Sequence, residues 1–120
     1  MARITEESVS LDASEQGFVG LRHVQVEGGR DFGGQLWLER GNLPWLVESM
    51  RACLEVYAFP GAETRGGDDS LSVRETGPEQ APYVNIQNRR PAASPHGGVY
   101  ALFVSRPVAE DLLARLSELR

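Results

Sequence analysis

Polar and apolar residues alternate over residues 8–12, Ser8-Val9-Ser10-Leu11-Asp12, the period-two pattern of a half-buried strand. Residues 14–17 supply turn chemistry, and residues 18–27, rich in Val, Leu and Phe, read as a second, longer strand. Its apolar phase shifts: Val19 and Leu21 fall on odd positions, Val24 and Val26 on even ones. That shift predicts a β-bulge near Arg22 and His23. A glycine-rich turn over residues 28–34 precedes a third strand at 35–39. From Leu43 the period changes, because Leu43, Leu46, Val47, Met50 and Leu54 follow the spacing of a helix with one buried face. Pro44 suits its first turn, and the helix is expected to fade by Tyr57 to Phe59.

The same order then begins again. Residues 60–69 read as a polar connector, 70–74 as an opening strand, 75–79 as a turn and 83–87 as a second strand. A loop over 90–98 ends in a Gly-Gly pair like the earlier one, and a third strand follows at 99–104. Ser105-Arg106-Pro107 opens a helix with the apolar face Val108, Leu112, Leu116 and Leu119, flanked by Leu113. Glu110 and Asp111 in its first turn, with Arg115 and Arg120 toward its end, would complement the helix dipole. The expected fold is therefore α+β: one domain over residues 1–120, with units at about 3–59 and 70–120. Each unit is β-β-β-α with an antiparallel sheet, and the pair packs about a pseudo-two-fold axis. Neither unit buries enough surface alone, so one shared core is expected.

At 41% hydrophobic and 24% charged, the 120-residue chain has a globular composition. No apolar stretch approaches the roughly 20 residues needed to span a bilayer, and the first residues turn acidic where a signal peptide would turn hydrophobic. With a single cysteine, Cys53, and no membrane association, a cytoplasmic location is expected. The net charge of −5 opposes non-specific attraction to nucleic acid or anionic lipid. All 12 cationic residues are arginines, whose planar fork suits phosphates and stacking on bases. A coding bias toward arginine, alanine, glycine and proline explains the same composition.

Asn88-Arg89-Arg90, polar and basic at the end of a second strand, together with the repeated order of elements, resembles the PUR-repeat and Whirly group of folds. The resemblance spans nearly the whole chain and implies a non-enzymatic module that binds single-stranded DNA or RNA. The residues it points to are Arg22, Tyr83, Asn85, Gln87, Arg89 and Arg90, with Trp37 or Tyr100 as stacking platforms. The first unit departs from the pattern, since Gly20-Leu21-Arg22-His23 offers one certain cation. The two-unit layout also resembles bacterial toxin-immunity proteins, which implies instead an immunity or adaptor role toward a basic protein partner. A free sheet edge or helix face would also allow a homodimer.

Period two places Tyr83, Asn85 and Gln87 on one face of their strand, opposite Val84 and Ile86. That face is either a ligand surface or an ordinary solvated sheet. Trp37, between Leu36 and Leu38, either marks a binding surface or is covered by a helix of the other unit. His23 and His96 have no helical partner or flanking cysteine, so neither a metal nor a cofactor is expected. Cys53, beside the apolar stripe, reads as an inert core thiol, and no residues announce a catalytic centre.

Overall fold

The computed structural model describes residues 5–31, 33–56, 58–76 and 83–119. Phe32, Tyr57, Arg120 and residues 77–79 of the second expected turn lie outside them. The protein is α+β, with two four-stranded antiparallel sheets and two helices. The first sheet holds β1 (Thr5–Asp12), β2 (Phe18–Glu27), the short β3 (Arg30–Asp31) and β4 (Gly34–Glu39), with both β3 and β4 pairing β2. Because β3 and β4 keep the same register against β2, they continue one line interrupted between residues 31 and 34. A 3₁₀ turn (Arg40–Asn42) leads into α1 (Leu43–Glu55). The second sheet runs β5 (Ala62–Gly66), β6 (Asp69–Glu75), β7 (Val84–Arg90) and β8 (Gly98–Val104) in sequence order, and α2 (Arg106–Leu119) closes the chain.

Two expectations change. The connector is largely a strand: residues 62–66 pair with 69–73 through a two-residue turn, Gly67-Asp68. Gly67 takes a φ of +57°, which glycine adopts without penalty. As a sheet edge, β5 needs no apolar face, so the alternation that marks other strands is missing from its sequence. The second half therefore has four strands rather than three.

The β-bulge at Arg22 and His23 is also absent. The β1–β2 ladder runs unbroken from Thr5 opposite Glu27 to Asp12 opposite Gly20. Inward positions continue Val19, Leu21, His23, and the histidine is buried. Its Nε2 lies 2.7 Å from Glu7 Oε2, and that oxygen also accepts the backbone N–H of Ser105 at 3.1 Å. A polar residue thus takes a core position because a carboxylate on the neighbouring strand satisfies it, and the helix start in turn satisfies that carboxylate.

Helix α1 buries the face the sequence specified; in α2, Leu112 and Leu116 are buried as expected, joined by Ala109, while Val108 and Leu119 are half-buried beside the core. Leu43, Leu46, Val47, Met50, Cys53 and Leu54 of α1, and Ala109, Leu112 and Leu116 of α2, belong to one buried cluster with residues from both sheets. Glu110 and Asp111 fall after the first turn of α2, where they pair with Arg106 and Arg115 one turn away. The helices are exchanged: α1 packs against α2 and β6 of the second half, while α2 packs against β1 of the first. Arg106 at the start of α2 donates to the Leu54 carbonyl in the last turn of α1 at 2.6 Å, satisfying a group the helix leaves free. Among the described residues no helix is long and apolar enough to cross a membrane.

Since each half seats its helix on the other half's sheet, a chain ending after residue 59 should lose its core partner. Expressed alone, it is expected to show no cooperative thermal transition by circular dichroism, whereas the intact chain unfolds in one step. A second outcome follows from Glu7. Burial works to raise its pKa, but hydrogen bonds from Ser105 and His23 outweigh this and hold it below the ordinary 4.5. A carboxylate depressed in the folded state stabilises fully above its unfolded value and loses that contribution as pH falls through the folded value. Melting followed from pH 7 to 3 should therefore show an acid loss of stability that is shallower in Glu7→Gln.

Candidate nucleic-acid interface

Strand β7 divides the polar residues between two faces. Val84, Ile86, Asn88 and Arg90 point inward and are buried, while Gln87 and Arg89 are exposed and Asn85 is half-buried. The inward polar pair builds the joint between the two sheets. The Arg90 side chain is 1% exposed and the Asp69 side chain 0%. Arg90 Nη1 donates to Asp69 Oδ1 at 2.6 Å and to Glu39 Oε2 at 3.1 Å, and its Nε donates to the Pro95 carbonyl at 3.0 Å. Burial opposes the Arg90 charge, but the hydrogen bonds to Asp69 and Glu39 more than offset it and hold its pKa above the ordinary arginine value.

Among the described residues, four groups donate to Asp69. Asn88 Nδ2 reaches its Oδ1 at 2.9 Å, and the Glu39 backbone N–H and Asn42 Nδ2 reach its Oδ2 at 2.8 and 2.7 Å. Glu39 and Asn42 come from the first half of the chain, and Asn88 also donates to the Trp37 carbonyl of β4 at 2.8 Å. The joint therefore ties β4 and the 3₁₀ turn to β6 and β7. Arg90, expected on the ligand surface, is committed here.

Trp37 is covered by a loop of the other half, not by a helix. The His96 ring stacks on it with centroids 4.0 Å apart and planes 10° apart, and Phe18 meets His96 edge-on. His96 has a left-handed φ of 54°, held by its pairing with Glu15 at 2.5 Å and by Tyr100 Oη donating to its carbonyl at 2.8 Å. The indole in turn lies over Gly20, where a Cβ would sit 2.9 Å from the ring. Trp37 and Arg22 share a cavity of about 150 Å³ on the first sheet that has no residue in common with those around Arg89. Tyr83 is engaged as well: its ring packs against the core, its hydroxyl donates to Glu75 at 3.1 Å, and the Arg106 guanidinium lies over the ring. Burial, followed by the Glu75 carboxylate, pushes the Tyr83 pKa up.

The structure thus brings together Asn85, Gln87 and Arg89 and leaves Arg22 and Trp37 on a separate sheet. It adds residues the sequence did not single out. The register aligns Arg65, Ser70, Arg89 and Val99 in one row across all four strands, and Glu63, Ser72, Gln87 and Ala101 in the next. Arg74, Asn85 and Phe103 form a third row. Val99 is 73% exposed and Phe103 43%. At a strand spacing of roughly 4.8 Å, the Arg65 and Arg89 backbones stand about 10 Å apart with Ser70 between them. Both arginines line a groove of about 460 Å³ over β5–β7 and an adjoining one of about 540 Å³ at the turn end of the sheet.

Neither Arg65 nor Arg89 has an acidic partner among the described residues. The nearby acids are taken: Glu63 pairs with Arg74 at 2.9 Å, Asp69 with Arg90, and Asp68 accepts the Ser94 hydroxyl at 2.7 Å. The signal that could have found Arg65 was the Gly67-Asp68 pair directly before the alternating run of residues 70–74, a hairpin turn whose other arm must pair with that run. Cys53 stays in the core, where burial raises its pKa to about 11, so the thiolate needed for nucleophilic chemistry is scarce at neutral pH. No family model matches the chain, and neither does any curated protein sequence.

The inward and outward arginines should respond oppositely to truncation. Asp69→Ala leaves the buried Arg90 with only the longer Glu39 contact and takes the acceptor from Asn88, Asn42 and the Glu39 N–H, and it is expected to cost about 3–5 kcal/mol. Arg89→Ala, on the exposed face, should stay within about 0.5 kcal/mol of the parent. Urea denaturation of the two variants measures the difference.

Proposed function

We propose that this chain is a cytoplasmic, non-enzymatic binding module of two related units packed about a pseudo-two-fold axis, and that it holds single-stranded nucleic acid on the outer face of the second sheet. The two-unit reading is supported by the matching strand orders β1-β2-β4 and β6-β7-β8 and by the exchanged helices. It agrees with the PUR-repeat and Whirly resemblance. The observation that carries the ligand is the row Arg65, Ser70, Arg89: two unneutralised guanidiniums flanking a hydroxyl on an open groove.

The chemistry suits a flexible strand. Phosphates meet Arg65 and Arg89, Gln87 and Ser72 offer neutral hydrogen bonds, and Phe103 and Val99 supply the apolar contact on which bases rest. A duplex is a poorer match, because its many phosphates would meet a molecule of net charge −5. Only a short stretch of strand lies within reach of the two arginines.

Fluorescence anisotropy of a labelled single-stranded oligonucleotide tests this. Binding should weaken with salt with a log–log slope near −1.4, at about 0.7 per phosphate neutralised by the two arginines. Arg65→Ala combined with Arg89→Ala should abolish it while leaving the melting temperature nearly unchanged. Arg90 is unsuitable as a probe because its loss would disturb the joint itself. Absence of binding at low salt would refute the ligand, and capture of a basic protein on the same face would favour the adaptor role instead.

A further inference from the structure

The two ends of the second sheet differ. At one end β8 lies against β4 of the first sheet, whereas at the other β5 has only β6 beside it among the described residues. Edge strands are commonly protected by a bulge, a proline or an inward-facing charge. β5 has none of these. Its ladder runs unbroken from Ala62 opposite Val73 to Gly66 opposite Asp69, residues 62–66 hold no proline, and the inward positions are Ala62, Thr64 and Gly66.

The ladders also fix which main-chain groups face the open side. In line with the β6–β7 register, Thr76 donates its N–H to the Tyr83 carbonyl at 3.0 Å. Main-chain bonds of an antiparallel strand turn alternately to its two neighbours, so even-numbered residues of β6 bond to β7 and odd-numbered ones to β5. Leu71 therefore bonds Thr64, and Glu63 and Arg65 on either side of Thr64 point their N–H and C=O groups away from β6. Both of their side chains stand exposed on the outer face.

We infer that this edge pairs with the same edge of a second copy of this chain, antiparallel about a two-fold axis at Thr64. The axis sets Glu63 opposite the partner's Arg65 and Arg65 opposite the partner's Glu63. Each is the hydrogen-bonded kind of pair, which exchanges both N–H···O bonds, and unlike charges lie across from each other on one face. Glu63 is then shared between Arg74 of its own chain, at 2.9 Å, and the partner's Arg65. On the inner face Thr64 meets the partner's Thr64 and Ala62 meets the partner's Gly66, so no bulky side chain separates the backbones. Charge selects this edge over β1, the end strand of the first sheet, which carries Glu6, Glu7 and Asp12 and no cation. The inference goes beyond the strand-binding reading and does not rest on it. Because a phosphate and the partner's Glu63 would compete for Arg65, the test is made without nucleic acid.

Sedimentation equilibrium of the full chain over a wide concentration range should show the mass rising from one chain to two. Glu63→Arg and Arg65→Glu each set like charges across the axis and should weaken self-association about tenfold. An equimolar mixture of these two variants has unlike charges at both facing pairs and should associate as tightly as the parent. Glu63→Pro removes an edge N–H that β6 does not use, and it should leave a single chain whose circular dichroism melt matches the parent's. A mass of one chain at every concentration would overturn the inference. So would association unchanged in the charge variants or in Glu63→Pro, or a mixture no tighter than its components.

Discussion

A single carboxylate organises the centre of this molecule. Asp69 has no solvent contact and accepts hydrogen bonds from β7, from the end of β4 and from the 3₁₀ turn before α1. A buried pair such as Asp69–Arg90 adds little stability over an apolar pair of the same volume, because desolvation offsets most of the attraction. What it does supply is geometry. Glu39, Asn42, Asn88 and Arg90 can satisfy one carboxylate only when the two sheets sit in one relative position. Wrong registers would leave charges buried and unpaired, so the joint fixes how the halves meet while the leucine-rich core supplies most of the driving force.

The position of the joint determines that of the open face. Successive side chains on a strand alternate between faces, so Asn88 and Arg90 cannot turn inward without sending Arg89 and Gln87 outward. The β6 ladder brings Ser70 beside Arg89, and β5 adds Arg65 one strand further. The turn and loop that bound this face are held by the same groups, through Asp68 N–H to Glu39 and Pro95 to Arg90. Exchange of the helices works in the same direction, since it makes the second sheet depend on α1 for its core side and leaves its other face uncovered.

Much of this was legible in the sequence, for identifiable reasons. Both helices and the apolar strands announce themselves through local periodicity, which short-range geometry alone enforces. What escaped depends on partners far along the chain. His23 at a core position looked like a shift of phase because Glu7, which satisfies it, lies 16 residues before it on β1, and Ser105, which holds Glu7, lies at the start of α2. Arg90 looked like a surface cation because Glu39 is 51 residues away. Strand parity placed Arg90 on the side of Val84 and Ile86, but a charge on an apolar face reads as the end of a strand until its partner is known. β5 was missed for the opposite reason: an edge strand with two polar faces has no apolar pattern to detect.

The same contacts bear on how two outward arginines stand on an overall acidic chain. Charges act mainly within a Debye length, about 8 Å at physiological ionic strength. Within that range of the Arg65–Arg89 row, Glu63 faces Arg74, Asp68 faces Ser94 and Asp69 faces Arg90. Asp68 keeps its charge beside a neutral hydroxyl, and Glu39 shares Arg90 with Asp69, so the two outward guanidiniums balance these carboxylates on a chain that carries −5 overall. Farther out the net charge prevails and repels any polyanion that tries to cover more of the surface. Under the proposed reading, a cationic row on an acidic body would favour short, flexible anions that touch at one place over long rigid ones that must lie along the whole molecule.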